Sequence, residues 1–261
     1  MIHPSSVISK NAEIHKTTHI GPFCIIGDGV KIGKNNNLIS NVSITGNTVV
    51  EDNNTFYPFC SIGSDPQDLK FNKEKSFLKI GSKNKFRENV TVNPGTSGGG
   101  LNTIVNDNCL FMVGSHIAHD CIIKSNVILA NNATLAGHVE IDSNAILGGN
   151  SAVHQFVRIG KYAMIGGMSG VEKDIIPYGL YTGIRENLKS LNIIGLKRKG
   201  LTSNLINAIK RMVNIIFDKN DAIENNIQKN NLHSANIQEI NEIIEFLNSS
   251  SKRGITAFVN D

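Results

Sequence analysis

An apolar residue recurs at every sixth position along most of the chain. The first series covers residues 2–62, and the same phase returns over residues 80–92. After a glycine-rich break the series restarts one place later and covers residues 105–171. Neither an α-helix nor a simple alternating strand has this period. A six-residue period is typical of a β-helix, in which each repeat supplies one short strand and one turn and three repeats complete a coil.

Two polar segments interrupt the repeat, and we predict loops at residues 64–79 and 94–103. Because Ile62 and Ile80 are 18 residues apart, we expect the first segment to replace one coil's worth of residues. Loops that emerge from a rigid scaffold often carry function. The second segment contains "SGGG" and is equally compatible with a simple spacer.

Beyond residue 171 the apolar spacing becomes that of an α-helix, with steps of three and four. The positions are Leu188, Leu191, Ile194, Leu205, Ile209, Met212, Val213, Ile216, Ile237, Ile240, Ile243, Ile244 and Leu247. Thr202 or Ser203 can cap a helix in this region. The sequence therefore predicts a solenoid domain over residues 1–184 and a small helical domain over residues 185–261.

Composition narrows the class of protein. The four cysteines are scattered without CxxC spacing, which favours a reduced cytoplasmic protein with buried thiols. No apolar run approaches the ~18 residues that a membrane-spanning helix needs, and the N-terminus does not resemble a signal peptide.

Charge points to an anionic partner. Residues 185–219 contain eight Lys or Arg and two Asp or Glu, a net charge of +6, with "LKRKG" at the centre. Such a basic segment suits phosphates or an acidic protein, although a solvated helix face would look the same. No nucleic-acid-binding motif is present, so we do not expect nucleic acid as a partner.

Four of the eight histidines are predicted to share one edge of the solenoid. His116, His119, His138 and His154 flank or closely follow apolar positions that are 18 residues apart, so they fall on successive coils. Three interpretations are open: a zinc site, hydrogen-bonded structural histidines, or a general base with its carboxylate, since Asp120 directly follows His119. The histidines have different offsets within their repeats, which does not suit a tetrahedral zinc site, and no metal is expected.

Six segments carry a resemblance to a known family: "HIGPFCIIG", "QDLK", "HIAHDC", "LANNATLAGHV", "AVHQF" and "GLKRKG". They are similar to the acyl-carrier-protein:UDP-N-acetylglucosamine O-acyltransferases of Gram-negative bacteria, and the resemblance covers essentially the whole chain. It implies a left-handed parallel β-helix followed by a C-terminal helical domain. It also implies a cytoplasmic homotrimer with active sites between subunits. Flat solenoid walls commonly pack against copies of themselves, which also favours a trimer.

The implied reaction moves an (R)-3-hydroxyacyl chain from acyl carrier protein to the glucosamine 3-hydroxyl of UDP-N-acetylglucosamine, the first step of lipid A synthesis. The acyl donor brings its own phosphopantetheine, so no cofactor of the enzyme is expected. By resemblance His119 is the general base, Asp120 orients it, and the Gly137 N–H stabilises the oxyanion. A neutral imidazole beside a carboxylate suits proton removal from a hydroxyl near pH 7.

The resemblance also implies further contacts with the substrates. The residues expected to bind the sugar nucleotide and the acyl product are Asp68, Lys70, His116, His138, Gln155, Asn192 and Arg198. The basic cluster Lys197, Arg198 and Lys199 would also suit the acidic carrier protein. Gly167 is expected at the far end of the acyl groove, where the absence of a side chain leaves room for a long chain.

The sequence departs from the family at two points and leaves alternatives open. Ile194 stands where the family commonly has Glu, and "TVNPGT", with Asn93 and Pro94, stands where "TIHRGT" is usual. The alternatives are a related N-acyltransferase, a γ-type zinc carbonic anhydrase and a non-catalytic solenoid scaffold. Neither the acyl length nor the choice between a 3-hydroxyl and a 3-amino acceptor follows from the residues.

Overall fold

The computed structural model describes residues 1–232 and 236–258. Most of the chain forms a three-sided prism in which successive short strands, as far as Gly170–Val171, belong to the first, second and third wall in turn. The first wall contains β1 (Val7–Ile8), β4 (Ile25–Ile26), β7 (Ser43–Ile44), β10 (Ser61–Ile62), β13 (Thr91–Val92), β16 (His116–Ile117), β19 (Thr134–Leu135), β22 (Ala152–Val153) and β25 (Gly170–Val171). The second wall contains β2 (Glu13–Ile14), β5 (Lys31–Ile32), β8 (Asn47–Val50), β11 (Phe77–Ile80), β14 (Asn102–Val105), β17 (Ile122–Ile123), β20 (Glu140–Ile141) and β23 (Arg158–Ile159). The third wall contains β3 (His19–Ile20), β6 (Asn37–Leu38), β9 (Thr55–Phe56), β12 (Lys85–Phe86), β15 (Leu110–Phe111), β18 (Ile128–Leu129), β21 (Ile146–Leu147), β24 (Met164–Ile165), β26 (Gly179–Tyr181) and β27 (Ser190–Leu191).

The six-residue repeat explains this architecture. The second residue of each strand points into the prism, and Ile117 pairs in register with Leu135, which pairs with Val153. Most turns after the first coil contain a residue in the left-handed region, and Asn often supplies it, as at Asn126 and Asn144, both with φ 63°. The predicted fold, a left-handed parallel β-helix, is confirmed.

Both insertions leave the prism at the same edge. We call the turn from the first to the second wall the first corner, and the next two turns the second and third corners. Ile80 pairs with Val50 on the second wall and not with Ile62 on the first. These partners are 30 residues apart instead of 18, so the first loop adds twelve residues to one first corner. The expectation that it replaces a coil is wrong: twelve is a multiple of six, so an insertion preserves the phase equally well.

The second loop enlarges the next first corner, and the two loops are tied together. Val105 pairs with Ile80, 25 residues away, so seven residues are added. The buried Asn93 donates its side-chain N–H to the carbonyls of Ser64 (3.0 Å) and Asp65 (3.2 Å) in the first loop. Because β11 begins at Phe77 and β14 at Asn102, strand residues occupy the last part of each predicted loop range.

The C-terminal region contains α1 (Ile193–Arg198), α2 (Ser203–Ile216), α3 (Ile223–Lys229) and α4 (Gln238–Asn248). Thr202 caps α2, since its hydroxyl accepts the Leu205 N–H (3.3 Å), as predicted. The helical assignment of Leu188 and Leu191 is wrong. Leu191 lies in β27, which pairs antiparallel with β26, and both leucines are buried at the end of the prism, so tertiary pairing overrides their helical spacing.

The four cysteines are buried and unpaired, as the sequence predicts. None of the helices in residues 1–232 and 236–258 is long and apolar enough to cross a membrane.

Candidate active site

The first corner carries the histidines that the sequence analysis singled out. His116 lies on β16, His119 and His138 lie in the turns after β16 and β19, and His154 directly follows β22. The register of the first wall stacks these turns on successive coils. The two inserted loops leave from the two preceding first corners, so loops and histidines share one edge of the prism.

His119 and Asp120 form a buried pair. The imidazole Nδ1 lies 2.8 Å from the Asp120 Oδ2. Only 7% of the surface of His119 and 6% of that of Asp120 are exposed to solvent. Asp120 adopts φ 59°, a left-handed conformation that Asp tolerates better than most residues, and its N–H donates to the Thr103 hydroxyl (2.8 Å). Because the carboxylate accepts from Nδ1–H, the tautomer is fixed and Nε2 is left as the basic nitrogen.

The second loop, which contains the three successive glycines 98–100, closes over the Asp120 carboxylate. Thr96 donates its N–H to Oδ1 (2.9 Å) and its hydroxyl to Oδ2 (2.6 Å). A Cβ on Gly99 would overlap the carboxylate group, so only glycine permits this approach. Together with His119, these donors offset the cost of burying a charge. The segment is therefore not a spacer, and Thr96 and Gly99 are site residues that the sequence reasoning missed.

Gly137 packs directly against the catalytic candidate His119. A Cβ at this position would lie 2.6 Å from the imidazole Nε2, closer than any ordinary contact. Within the described part of the chain the Gly137 N–H donates to no acceptor. The geometry of the turn leaves this N–H without an acceptor. At Gly137 the unpaired donor lies next to the His119 imidazole, as an oxyanion site requires.

His138 extends the cluster along the corner. Its ring meets the His119 ring edge to face (centroids 5.0 Å apart) and stacks on Phe156 (4.3 Å), a further contact that sequence reasoning missed. Burial lowers the pKa of His138. The charges of His119 and Lys252 act in the same direction, and Asp120 and Asp68 oppose them. Asp68, on the first loop, therefore lies close enough to influence the histidine cluster.

Within residues 1–232 and 236–258, the other residues predicted at this edge form no hydrogen bond with His119 or Asp120. The His116 Nδ1 lies 2.7 Å from the Thr91 hydroxyl, and burial lowers the pKa of His116. Lys70 and Gln155 are exposed, and the Lys70 N–H donates to the Asp68 carboxylate (2.9 Å).

Asn192 and Arg198 lie on another side of the prism, against the third wall. They line a cavity of about 600 Å³ between α1 and that wall. The other lining residues are Asn126, Ile128, Asn144, Ile146, Tyr162, Met164, Ile194, Gly195 and Lys199. The Asn192 amide already caps α1 through the Gly195 N–H (2.9 Å) and donates to the Tyr162 carbonyl (2.9 Å). One chain therefore does not bring these residues next to His119.

Two further predicted residues occupy separate positions. Gly167 lies in a third corner, where a Cβ would approach the Gly149 carbonyl to 3.2 Å. The Lys199 ammonium is 2.6 Å from the Glu239 carboxylate in a mostly buried ion pair. This charge holds α4 against the solenoid, whereas Lys197 and Arg198 of the basic cluster are exposed; that the cluster faces the carrier protein stays a prediction.

The ligand atoms of His119, Asp120 and His138 lie within 4.8 Å of one another, close enough to hold a metal ion. Their hydrogen bonds favour another use. His119 turns Nδ1 toward Asp120, and both carboxylate oxygens accept hydrogen bonds from Thr96. Metal ligands instead direct their lone pairs at one common point. The arrangement suits an oriented general base.

Comparisons with known proteins identify relatives over nearly the whole chain. A family model described as UDP N-acetylglucosamine O-acyltransferase, domain 2, matches residues 174–256, and one for six bacterial transferase hexapeptide repeats matches residues 102–137. A protein of Thermodesulfovibrio yellowstonii named acyl-[acyl-carrier-protein]–UDP-N-acetylglucosamine O-acyltransferase is 45% identical over 97% of this chain and 98% of its own. A protein of the same name from Rickettsia bellii is 48% identical over 98% and 92%.

Solved structures are similar over the full length. A crystal structure of a UDP-N-acetylglucosamine acyltransferase matches with a TM-score of 0.94 and 40% identity, covering all of both chains. The corresponding Francisella novicida enzyme matches with a TM-score of 0.93 and 36% identity, covering 100% of this chain and 95% of its own. Because relatives of this name are 45% and 48% identical over nearly its full length and the solved structures share its fold, the chain belongs to the UDP-N-acetylglucosamine O-acyltransferase family.

Proposed function

We propose that the protein transfers an (R)-3-hydroxyacyl chain from acyl carrier protein to the glucosamine 3-hydroxyl of UDP-N-acetylglucosamine, the first step of lipid A synthesis. The observation that carries this proposal is the buried His119–Asp120 pair, with its 2.8 Å hydrogen bond, in a chain similar to acyltransferases over its full length. The names of the relatives supply both substrates.

The geometry suits direct transfer. The His119 Nε2 removes the proton of the 3-hydroxyl as its oxygen attacks the thioester carbon, and Asp120 stabilises the imidazolium. The tetrahedral oxyanion accepts a hydrogen bond from the Gly137 N–H. Collapse breaks the carbon–sulfur bond, and the imidazolium returns the proton to the leaving thiolate. An ester and the thiol of the carrier are the products, and no covalent enzyme intermediate is needed. General-base assistance of this kind typically contributes ~10²–10⁴-fold.

No enzyme cofactor takes part in this scheme, because the phosphopantetheine arrives with the acyl donor. Asp68, Lys70, His116, His138 and Gln155 would bind the sugar and diphosphate around the first corner. The acyl transfer would take place in the cytoplasm, where acyl carrier protein supplies the thioester.

A shared site follows if one substrate contacts both clusters. His119 lies at a first corner, whereas Asn192 and Arg198 line the cavity on the third wall. A sugar nucleotide that reaches both clusters must therefore bridge two chains. We propose a homotrimer in which the third-wall cavity of one subunit receives the nucleotide and the first corner of its neighbour performs the chemistry.

The test is a product assay with a panel of acceptors and donors. Purified protein is incubated with 3-hydroxyacyl carrier proteins of several lengths and with UDP-N-acetylglucosamine or its 3-amino analogue, and products are read by mass spectrometry. The proposal expects a monoacylated product from the 3-hydroxyl sugar that mild alkali cleaves, as it cleaves esters. An alkali-stable product from the 3-amino sugar alone would indicate N-acylation, and metal-dependent hydration of carbon dioxide without acyl transfer would indicate a zinc enzyme.

A further inference from the structure

The C-terminal tail returns to the edge of the prism that carries the active-site candidates. Ser249, directly after α4, hydrogen-bonds the Arg158 guanidinium. Further along, the Arg253 side chain donates to the Glu172 carbonyl (3.1 Å), and Ile255 forms a β-bridge with Asp174. The tail is thus attached to the solenoid on both sides of residues 250–252.

Lys252 lies between these attachments and beside the histidine cluster. Its ammonium is 4.5 Å from the centroid of the Phe156 ring, within the ~6 Å reach of a cation–π contact. Phe156 stacks on His138, whose ring meets the His119 ring. Two ring contacts therefore separate the cation from the proposed base, and its charge contributes to the lowered pKa of His138.

Lys252 differs from three other cations near this end of the prism. Arg158, Lys161 and Lys199 each form an ion pair with a carboxylate at 2.6–2.7 Å. Among residues 1–232 and 236–258, no carboxylate forms an ion pair with Lys252, and the residue is exposed. An ammonium whose nearest partner is an aromatic ring can exchange that weak contact for a charged hydrogen bond when an anion arrives.

We propose that Lys252 is a substrate-binding residue that holds the diphosphate of the sugar nucleotide at the first corner, a role that rests on the proposed function. Both proposed substrates carry phosphate, but their geometries differ. In a UDP sugar the diphosphate is attached at C1, two carbons from the reacting hydroxyl at C3. In the acyl donor the phosphate lies at the far end of the pantetheine arm from the thioester. A cation two ring contacts from His119 therefore suits the diphosphate.

The experiment compares Lys252→Met, which keeps the length of the side chain, with Lys252→Arg, which keeps the charge. Lys10→Met is the matched control, because Lys10 is likewise an exposed lysine and lies in the first corner of the first coil, far from His119. The dissociation constant of UDP-N-acetylglucosamine is measured by calorimetry. Steady-state kinetics then give KM for this sugar and for the acyl carrier protein.

We expect Lys252→Met to weaken sugar-nucleotide binding and raise its KM about tenfold, the loss typical of one charged hydrogen bond, with little change in KM for the acyl donor. In Lys252→Arg, the dissociation constant and KM for the sugar nucleotide should stay within a few-fold of those of the unaltered protein. In Lys10→Met, both should equal those of the unaltered protein.

Two results would overturn the proposal: unaltered sugar binding in Lys252→Met, or a rise confined to KM for the acyl donor, which would assign Lys252 to the pantetheine phosphate. Because calorimetry needs no turnover, failure of the acyltransferase assay with unaltered protein would count against the proposed function and leave the binding test readable.

Discussion

Replacing Gly137 with alanine should damage catalysis by moving the His119 imidazole. The new Cβ would lie 2.6 Å from Nε2, and an ordinary contact begins near 3.4 Å. The ring must therefore move by roughly 1 Å, since the Gly137 backbone is fixed in a turn of the solenoid. The imidazole is held by the 2.8 Å hydrogen bond between Nδ1 and Asp120, and Nδ1 itself would lie 3.0 Å from the new Cβ, so movement of the ring lengthens that bond or turns Nε2 away from the substrate.

A misplacement of about 1 Å can cost about 10²-fold in rate, and we expect a loss of that order in kcat. KM for the sugar nucleotide should change less than kcat, because two of its binding candidates, Asn192 and Arg198, lie on another wall. Initial rates with saturating acyl carrier protein measure kcat, and thermal denaturation measures stability.

Gly149→Ala is the matched control for this substitution. A Cβ at Gly149 meets only the Asn131 carbonyl at 3.4 Å, an ordinary contact, and the position lies in a third corner. The control should keep kcat within a few-fold. If Gly137→Ala were as active as Gly149→Ala, the close packing of Gly137 on His119 would have no catalytic meaning. If both lost activity together with thermal stability, the effect would belong to the solenoid and not to the base.

Three further substitutions test separate parts of the account. Thr96→Val removes the hydroxyl that donates a hydrogen bond to the Asp120 carboxylate, and a hydrogen bond to a charged group is worth ~1.5–3 kcal/mol. We therefore expect kcat to fall about tenfold or more in Thr96→Val and to be retained in Thr96→Ser. Equal activity of the two variants would exclude a positioning role for Thr96. Ile194→Glu puts a carboxylate one turn before Arg198 on α1, where an ion pair between the two side chains can orient the guanidinium toward the nucleotide. Calorimetry should therefore show tighter UDP binding. Unchanged or weaker binding would mean that Ile194, which is 65% exposed, belongs to a pocket that binds the nucleotide in another way. Gly167→Met should cap the acyl groove and shift a competition assay toward shorter donors, since each buried methylene is worth ~0.8 kcal/mol; an unchanged chain-length profile would mean that the acyl tail does not pass this residue.

The repeat made most of the solenoid predictable because the same residues form the core and set the register. Ile117, Leu135 and Val153 are both buried and 18 residues apart, so the stacking of the histidine-bearing turns follows from counting. Counting could not assign a wall across an insertion of twelve residues. Ile80 keeps the phase of Ile62 although it belongs to the second wall.

The parts of the site that were missed come from contacts without a period. Thr96 reaches Asp120 across 24 residues, and Lys252 reaches Phe156 from the far end of the chain. No spacing rule relates loop or tail residues to a coil, so only the folded chain brings them together. The run of glycines from residue 98 to 100 was visible in the sequence, but its reason, the close approach of Gly99 to a buried carboxylate, was not.

The most direct test of the central claim compares the unaltered protein with His119→Ala in one reaction. Both are incubated with 3-hydroxyacyl carrier protein and UDP-N-acetylglucosamine, and the acylated sugar nucleotide is quantified over time by mass spectrometry. We expect the unaltered protein to form the ester. The variant should keep its fold and its affinity for the sugar nucleotide but react ~10²–10⁴-fold more slowly, because the general base is lost. A His119→Ala protein that forms the ester at nearly the unaltered rate would contradict the account.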